Sequence, residues 1–260
     1  MIMSVEGLSQ GYGEHLIIDD LSFTAKSGEL LTILGPNGCG KSTLIKTLCN
    51  VISPRKGTIH IDDRDLCGMD PKEMAKLIGY VPQTMTSFGY STVYDLVLIG
   101  RRPYVHWSYS SNDLRIAADA MITMNVNSYA DRSIQELSGG QRQRAFIARA
   151  LAQEPKFYIF DEPTSSFDLR NQLDTMRIMR RMIRERGACL IVALHDINLA
   201  MRYSDRVMVL SDAGIYGIGK PKDIITSKMI KDVYGVTADI MEYKHGPFVR
   251  TYDKETDTVA

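Results

Sequence analysis

The sequence predicts an α/β fold with a mixed, mainly parallel sheet, an N-terminal antiparallel β-subdomain and an α-helical insertion. Three observations carry this prediction. Short apolar runs lead into polar residues after Leu34, at Asp161 and at His195, which is the pattern of buried parallel strands. The first of these runs continues through a glycine-rich loop into a helix. Residues from about 85 to 153 then change to helical periodicity.

Composition is consistent with one cytosolic domain. The chain has 260 residues, of which 44% are hydrophobic, so it is long enough to bury a full core. Its 31 basic residues balance its 31 acidic ones, which does not favour a nucleic-acid or lipid-surface partner. No apolar run approaches the roughly 20 residues that span a bilayer, and no signal-peptide pattern opens the chain. The four cysteines lack metal-ligand spacing, so we expect neither a zinc site nor a disulfide framework, and we place Cys49 and Cys189 in the core.

The first half of the chain carries the predicted β-subdomain. Strand-like stretches over residues 5–23 are interrupted by a turn at Gly11-Tyr12-Gly13. A helix follows Lys41, and the alternation of Ile59 and Ile61 predicts an antiparallel strand. A further strand over 78–81 is followed by a proline and then by a glutamine.

The second half begins with helices and returns to strands. A capping box predicts a helix from Thr92 through Ile99, and Ser138 is the expected N-cap of another helix. We interpret the intervening segment 101–112 as a surface loop. Strands at 157–161, 190–195 and 206–210, a helix at 171–186 and a short helix near 229–234 complete the chain, whose end we expect to be loose.

These elements give one domain over 1–260 with three parts. The core and β-subdomain take about 1–84 and 154–225, the helical subdomain about 85–153, and a C-terminal tail about 226–260.

The glycine-rich loop matches the phosphate-binding pattern G-x-x-x-x-G-K-[ST]. Its glycines let successive backbone N–H groups converge on phosphate oxygens, Lys41 supplies a charge for the outer phosphates, and Ser42 offers a hydroxyl to Mg²⁺. The pattern therefore predicts a nucleoside triphosphate with magnesium. The loop and the start of its helix comprise Gly35, Pro36, Asn37, Gly38, Cys39, Gly40, Lys41, Ser42 and Thr43.

Polar residues at other strand ends complete a candidate active site. Ligands of open α/β sheets bind outside the carboxyl ends of the strands, so Asp161, Glu162 and His195 are expected to meet the phosphate loop. Asp161 and the amide oxygen of Gln83 are candidate magnesium ligands, and Glu162 is a candidate base for the attacking water. A single histidine is more often a satisfied core residue, and Tyr12 is either a base-stacking ring or an ordinary surface tyrosine.

A second anion-binding segment lies in the helical part. Ser138, Gly139, Gly140 and Gln141 open a helix with a serine cap and two glycines. This segment cannot easily fold back onto the phosphate loop of its own chain. Two chains arranged head to tail would bring the two segments together.

Leu137 to Gln141 resembles the signature motif of the ATP-binding cassette (ABC) ATPases, and the resemblance covers nearly the whole chain. It implies the ABC ATPase fold on a P-loop NTPase core, ATP and Mg²⁺ as ligands, and a homodimer that closes the signature of one chain on ATP held by the other. The site roles that it implies are an adenine-stacking Tyr12, a Walker A motif from Gly35 to Thr43, a Q-loop Gln83, Asp161 at the end of Walker B, a catalytic Glu162, a D-loop with Ser165 and Asp168, and a switch His195. The D-loop departs from the usual pattern, with Ser166-Phe167 in place of Ala-Leu.

Within that family, three segments resemble the ATPase subunits of iron-siderophore, haem and vitamin B12 (cobalamin) importers. They are Gly100-Arg101-Arg102-Pro103, His195-Asp196-Ile197-Asn198 and the tail segment 231–236. This resemblance implies transmembrane permease subunits as partners, an external substrate-binding protein acting through them, and a place at the cytoplasmic face of the membrane. The alternative is a nucleic-acid-associated ABC ATPase. A single cassette, a neutral charge and a short helical insertion disfavour it, so we expect no nucleic-acid partner.

Two further expectations concern single segments. Met85, Phe88 and Tyr90, in the segment after Gln83, are expected to line a docking groove for the permease, the alternative being that they pack the hinge of the insertion. Cys39 lies near a helix N-terminus and beside Lys41, features that lower a thiol pKa, so we expect it to be the most reactive thiol.

Overall fold

A computed structural model describes residues 1–83, 92–212, 214–244 and 246–252. The segment that contains Met85, Phe88 and Tyr90 therefore lies outside the described residues, and its assignment to permease docking stays a prediction. The strands are β1 (Ile2–Tyr12), β2 (His15–Lys26), β3 (Leu30–Leu34), β4 (Lys56–Ile61), β5 (Arg64–Asp65), β6 (Ile78–Val81), β7 (Phe157–Asp161), β8 (Cys189–Ala193), β9 (Arg206–Ser211), β10 (Gly214–Gly219), β11 (Thr237–Tyr243) and β12 (Gly246–Tyr252).

Helices separate most of these strands. They are α1 (Lys41–Leu48), α2 (Pro71–Leu77), α3 (Val93–Ile99), α4 (Ser111–Thr123), α5 (Gly139–Gln153), α6 (Leu169–Arg186), α7 (Ile197–Tyr203), α8 (Pro221–Ile224) and α9 (Ser227–Tyr234). Within the described residues, no helix combines the length and the apolar character needed to cross a membrane.

A six-stranded sheet in the order β10-β9-β3-β8-β7-β6 forms the centre of the molecule. All neighbouring strands in it are parallel except β10, which pairs antiparallel with β9. A separate antiparallel sheet has the order β2-β1-β4-β5. The predicted mainly parallel sheet and antiparallel N-terminal part are confirmed, and the parallel strands bring the ends of β3, β7 and β8 to one edge.

Side chains of the central strands alternate between two apolar clusters, one on each face of the sheet. In β7, Phe157 and Ile159 pack with helix α1 and the antiparallel sheet, whereas Tyr158 and Phe160 pack with the helices of the other face. All four side chains are fully buried. A strand covered on both faces is expected to alternate its side chains in this way. The buried side chains hold in place the end of β7, which follows Phe160.

Helices α3, α4 and α5 occupy the middle of the chain and pack on one another. Capping boxes begin all three, at Thr92, Ser110 and Ser138, which confirms the caps predicted at Thr92 and Ser138. The interpretation of 101–112 as a surface loop is wrong at Arg101. Its buried guanidinium contacts Asp113 at 2.9 Å and Glu154 at 3.0 Å, so the segment is tied to the ends of α4 and α5.

Several described elements have no counterpart in the sequence prediction, among them α2, α7, β10 and a hairpin in the tail. Helix α2 starts with Asp70 as N-cap and Pro71 in its first turn. The antiparallel hairpin of β11 and β12 occupies the tail up to residue 252, and the expected loose end beyond it lies outside the described residues. Asn198 of α7 holds this hairpin, because its side chain both donates to and accepts from the backbone of Val249.

Candidate functional site

The phosphate loop joins the end of β3 to the start of α1. Gly40, immediately before α1, has a φ of 99°, in the left-handed region that favours glycine. A Cβ built there would lie 2.8 Å from Cγ2 of Ile17 on strand β2. Glycine is thus required both by the backbone conformation and by the close approach of β2. No side chain caps the first N–H groups of α1, which leaves them directed toward the loop.

The loop borders a cavity of about 380 Å³ at the carboxyl edge of the sheet. Residues from the loop, from strand β2 and from two other segments line it. They are Ile17, Asn37, Gly38, Gly40, Lys41, Ser42, Thr43, Gln83 and Glu162. The sequence prediction missed Ile17, whose apolar side chain carries no local signal for a site and is placed there by the β1–β2 hairpin.

Lys41 is buried, and its ammonium is held over the loop. Nζ donates to the carbonyl oxygens of Gly35 at 2.8 Å and Pro36 at 2.9 Å. These carbonyl groups satisfy two of the three donors of the ammonium and do not neutralise its charge. The arrangement is therefore suited to receive an anion in the adjoining cavity.

Asp161 ends strand β7 with only 1% of its surface exposed. Its Oδ1 atom is buried and has no hydrogen-bond partner among the described residues. Burial raises the pKa of Asp161, and a hydrogen bond from Ser42 partly opposes that rise. Ser42 and Gln83 line the cavity, and Asp161 lies behind Ser42 with an orphaned carboxylate oxygen. Together they offer hard oxygen donors of the kind that fits Mg²⁺.

Glu162 contacts two other predicted site residues through its carboxylate. Its carboxylate accepts from Nε2 of Gln83 at 2.6 Å and lies 2.5 Å from Nε2 of His195. The residue has a φ of 49°, a left-handed conformation that costs a non-glycine residue about 1–2 kcal/mol. Such strain concentrates at functional sites, and here it turns the carboxylate out of the strand and toward the cavity.

The segment 138–141 does not line this cavity. Ser138 and Gln141 form a reciprocal capping box at the start of α5. A Cβ at Gly139 would lie 3.8 Å from Ser166, an ordinary contact, so the D-loop neighbours the signature helix within one chain. Asp168 is the N-cap of α6, accepting from the Asn171 N–H at 2.8 Å. Ser165 is held near the site, since its hydroxyl donates to the Glu162 carbonyl at 3.1 Å.

Tyr12 lies at the end of β1, with an exposed ring outside the set of cavity-lining residues. Its base-stacking role stays a prediction. The hairpin that begins at Tyr12 also carries Ile17, which does line the cavity.

The cysteines divide into three buried residues and one exposed one. Cys49 and Cys189 belong to the core, as predicted. The expectation that Cys39 is the most reactive thiol is not supported, because burial raises its pKa and outweighs the opposing effect of Lys41. Cys67 is the exposed thiol of the described residues.

Comparisons with known proteins agree with this geometry. The sequence model of the ABC transporter family matches residues 18–165. An uncharacterized ABC transporter ATP-binding protein of Methanocaldococcus jannaschii is 43% identical over 96% of this chain and 97% of its own length. The ferric enterobactin transport ATP-binding protein of Escherichia coli is 37% identical over 91% and 88%, respectively. A solved structure of an inward-facing ABC transporter, described as of metal-chelate type, has a TM-score of 0.83 at 30% identity, covering 97% of this chain and 98% of that chain.

Proposed function

The chain belongs to the ABC transporter family of ATP-binding proteins, and we propose that it is the ATP-hydrolysing subunit of an importer for a metal chelate. It works as a homodimer bound to permease subunits at the cytoplasmic face of the membrane. The observation that carries the hydrolytic role is the contact of Glu162 with both Gln83 and His195 at the border of the phosphate-loop cavity.

Glu162 is the group that orients and deprotonates the attacking water. Its carboxylate is nearly buried and its orientation is determined by two neighbours, so little reorganisation is needed when a water arrives. His195 holds Glu162 from the side of β8, and Gln83 holds it from the side of β6. A positioned general base of this kind typically contributes a factor of about 10²–10⁴ to the rate.

The phosphate loop binds the triphosphate. Uncapped N–H groups at the start of α1 and the buried ammonium of Lys41 face the cavity, and both favour anionic oxygens. Ser42, Asp161 and Gln83 would hold Mg²⁺, as the orphaned Asp161 oxygen suggests. When bound, the ion neutralises charge on the β- and γ-phosphates.

A homodimer completes the site. Segment 138–141 presents two glycines and a serine hydroxyl at a helix N-terminus, outside the cavity of its own chain. A partner arranged head to tail would place this exposed segment over the ATP held by the first chain. The D-loop neighbours both the catalytic residue and the signature segment of its own chain, because Ser165 contacts Glu162 and Ser166 lies beside Gly139. Ser165 and Asp168 of this loop are therefore proposed to lie near the dimer contact.

Two similar proteins support a metal chelate as the cargo class. The ferric enterobactin transport ATP-binding protein and the transporter described as of metal-chelate type are both similar to this chain over more than nine-tenths of its length. We propose a ferric siderophore as the cargo, delivered to the permease by an external binding protein. Haem and cobalamin, which the sequence resemblance also allows, are the competing cargoes.

Hydrolysis is tested by Glu162→Gln in the purified chain. We expect the variant to bind MgATP and to hydrolyse it about 10²–10⁴-fold more slowly in single turnover, because the amide keeps the shape and loses the base. Glu185→Gln is the matched control: it is the same substitution at an exposed position near the end of α6 and should retain the parental rate. A Glu162→Gln variant that hydrolyses ATP near the parental rate contradicts the assignment.

Transport is tested by co-purification from detergent-solubilised membranes, followed by uptake assays. The tagged chain should recover a permease, and cells should lose uptake of a labelled ferric siderophore when only Glu162→Gln is supplied. Labelled haem and cobalamin are offered in parallel. Loss of uptake of one of those instead would reassign the cargo, and recovery of no membrane protein would contradict the transport role.

A further inference from the structure

A groove of about 700 Å³ lies between helix α6, helix α7 and the hairpin of β11 and β12. The site described above does not use it, since the groove and the phosphate-loop cavity share no lining residue. Most of its lining is apolar, and each of the three elements contributes. The apolar side chains include Leu169 and Leu173 of α6, Leu199 and Met201 of α7, and Tyr243 and Phe248 of the hairpin.

Three of these side chains are large, apolar and open to solvent. Leu169 is 70% exposed, Tyr243 61% and Phe248 45%. The two rings meet edge to face with their centroids 6.4 Å apart, and the hairpin that carries them is held to α7 by the hydrogen bonds of Asn198 with Val249. The apolar surface is therefore already formed within the chain. Contiguous exposed apolar surface of this kind is typical of a site where another macromolecule docks.

The groove lies at the edge of the central sheet that carries the candidate active site. Leu169 directly follows Asp168, the D-loop residue that caps α6. Asp196, which also lines the groove, directly follows His195, and His195 contacts Glu162. A second chain that closes its segment 138–141 over this edge therefore arrives beside the groove. The groove is continuous with the surface that the proposed dimer covers.

The charges of the groove favour a second copy of this chain over a partner of one charge sign. Its charged lining residues are Asp196 and Arg202. Asp196 caps α7 by accepting from two backbone N–H groups, and Arg202 lies over the Tyr203 ring, so neither has an ion-pair partner within the described part of the chain. In a two-fold contact the same patch occurs on both sides, so an acid and a base beside an apolar surface complement themselves. An acidic or a basic partner leaves one of the two charges unmatched.

We propose that this groove is a second contact surface of the homodimer, occupied by the same surface of the second copy. The tail hairpin thereby raises the affinity of the two chains for each other, although it does not line the ATP cavity. The inference rests on the proposed function, since it takes two chains to close on ATP at this edge of the sheet.

The test is Leu169→Glu, made in the Glu162→Gln chain so that MgATP stays bound during the measurement. Leu169 is the first residue of α6, where an acidic side chain favours the helix, so thermal unfolding should match that of the starting chain. The dissociation constant of the dimer in MgATP, measured by sedimentation velocity, should rise about 10-fold or more, because the contact loses an apolar anchor and gains a buried charge. Binding of N-methylanthraniloyl-ATP by the monomer should stay unchanged.

Leu114→Glu is the matched control. Leu114 is also an exposed leucine in the first turn of a helix, here α4, and it does not line the groove. This variant should dimerise as the starting chain does. Phe248→Ser is a second variant, on the hairpin side of the groove. It should weaken the dimer in the same direction, because the second copy covers both sides.

The outcomes separate the inference from the proposed function. If the starting chain dimerises in MgATP and Leu169→Glu has the same dissociation constant as Leu114→Glu, the inference is wrong and the proposed function stands. Parental dimerisation of Leu169→Glu together with lost recovery of a permease would also overturn it, by assigning the groove to the permease. If the starting chain binds MgATP and stays monomeric, the proposed homodimer is wrong, and the second contact surface is wrong with it.

Discussion

Helices α1 and α5 both begin with a glycine-containing segment, yet their N-termini are built in different ways. The first N–H groups of α1 have no side-chain cap, and the loop before the helix borders a cavity. Helix α5 is closed by the capping box of Ser138 and Gln141, and its glycines do not line that cavity. At the start of α1 the backbone N–H donors remain for a ligand bound by the same chain. At the start of α5 part of these donors already have side-chain partners.

This difference suits the two segments to different roles in the proposed function. The loop before α1 is enclosed by its own chain, so its glycines are needed for the fold as well as for binding. The start of α5 is open, so its glycines are free of that constraint and are suited to contact a second molecule. Substitutions at the two sites should therefore separate stability from activity.

Among the glycine substitutions at the two helix starts, the largest effect is expected from Gly139→Asp. A Cβ fits at this position, and an acidic residue in the first turn favours the helix by about 0.3–1 kcal/mol, so the fold should be retained or slightly stabilised. In the proposed dimer the new carboxylate faces the γ-phosphate. Hydrolysis should then fall about 10²–10³-fold, comparable to the loss of one transition-state donor, while nucleotide binding by the isolated chain persists. Thermal unfolding and phosphate release measure the two quantities.

Mixing variants shows whether the two segments act across a dimer. Lys41→Ala should lose nucleotide affinity and activity on its own, because it removes the cation of the loop. In an equal mixture with Gly139→Asp, half of the dimers contain one chain of each variant. Each mixed dimer has one intact site of its two. About a quarter of the parental activity should therefore return. An inactive mixture in which mixed dimers are shown to form would mean that each chain uses its own segment 138–141.

A smaller effect, on stability, is expected from Gly40→Ala. Its positive φ and the close approach of Ile17 should lower the free energy of unfolding by about 1–3 kcal/mol. Gly139→Ala is the matched variant and should stay within about 0.5 kcal/mol of the parent, because a Cβ meets only ordinary contacts there. If urea-induced unfolding shows an equal decrease in the free energy of unfolding for both variants, the proposed difference between the two helix starts is wrong.

The smallest effect concerns thiol reactivity at the loop. Cys67 is exposed and Cys39 is buried, and burial raises the pKa of both thiols. The expected difference in reactivity therefore rests on access of the reagent to the sulfur. Limited alkylation near pH 7 should therefore modify Cys67 first, by a margin of several-fold or more. Peptide mass spectrometry that finds Cys39 modified first would indicate a loop that is more open than the enclosed one described above.

Many of the local elements and most residues of the candidate site could be predicted from the sequence. Alternating apolar runs predicted the central strands, and short polar patterns predicted the caps at Thr92 and Ser138, because these signals lie within a few residues of the structure they specify. The place of Glu162 at the phosphate-loop cavity, and the contacts of Asp161 with Ser42 and of His195 with Glu162, could be predicted as well. Parallel strands of one sheet bring their carboxyl ends to the same edge, whatever the length of chain between them.

Contacts between segments far apart in sequence depend on the tertiary structure and could not be predicted. Ile17 lines the cavity and Arg101 is buried in an ion pair, although nothing in their local sequence sets them apart. The pKa of Cys39 went opposite to the local expectation for the same reason. Burial depends on all the segments that pack around a group, whereas a sequence motif contains only the neighbours along the chain.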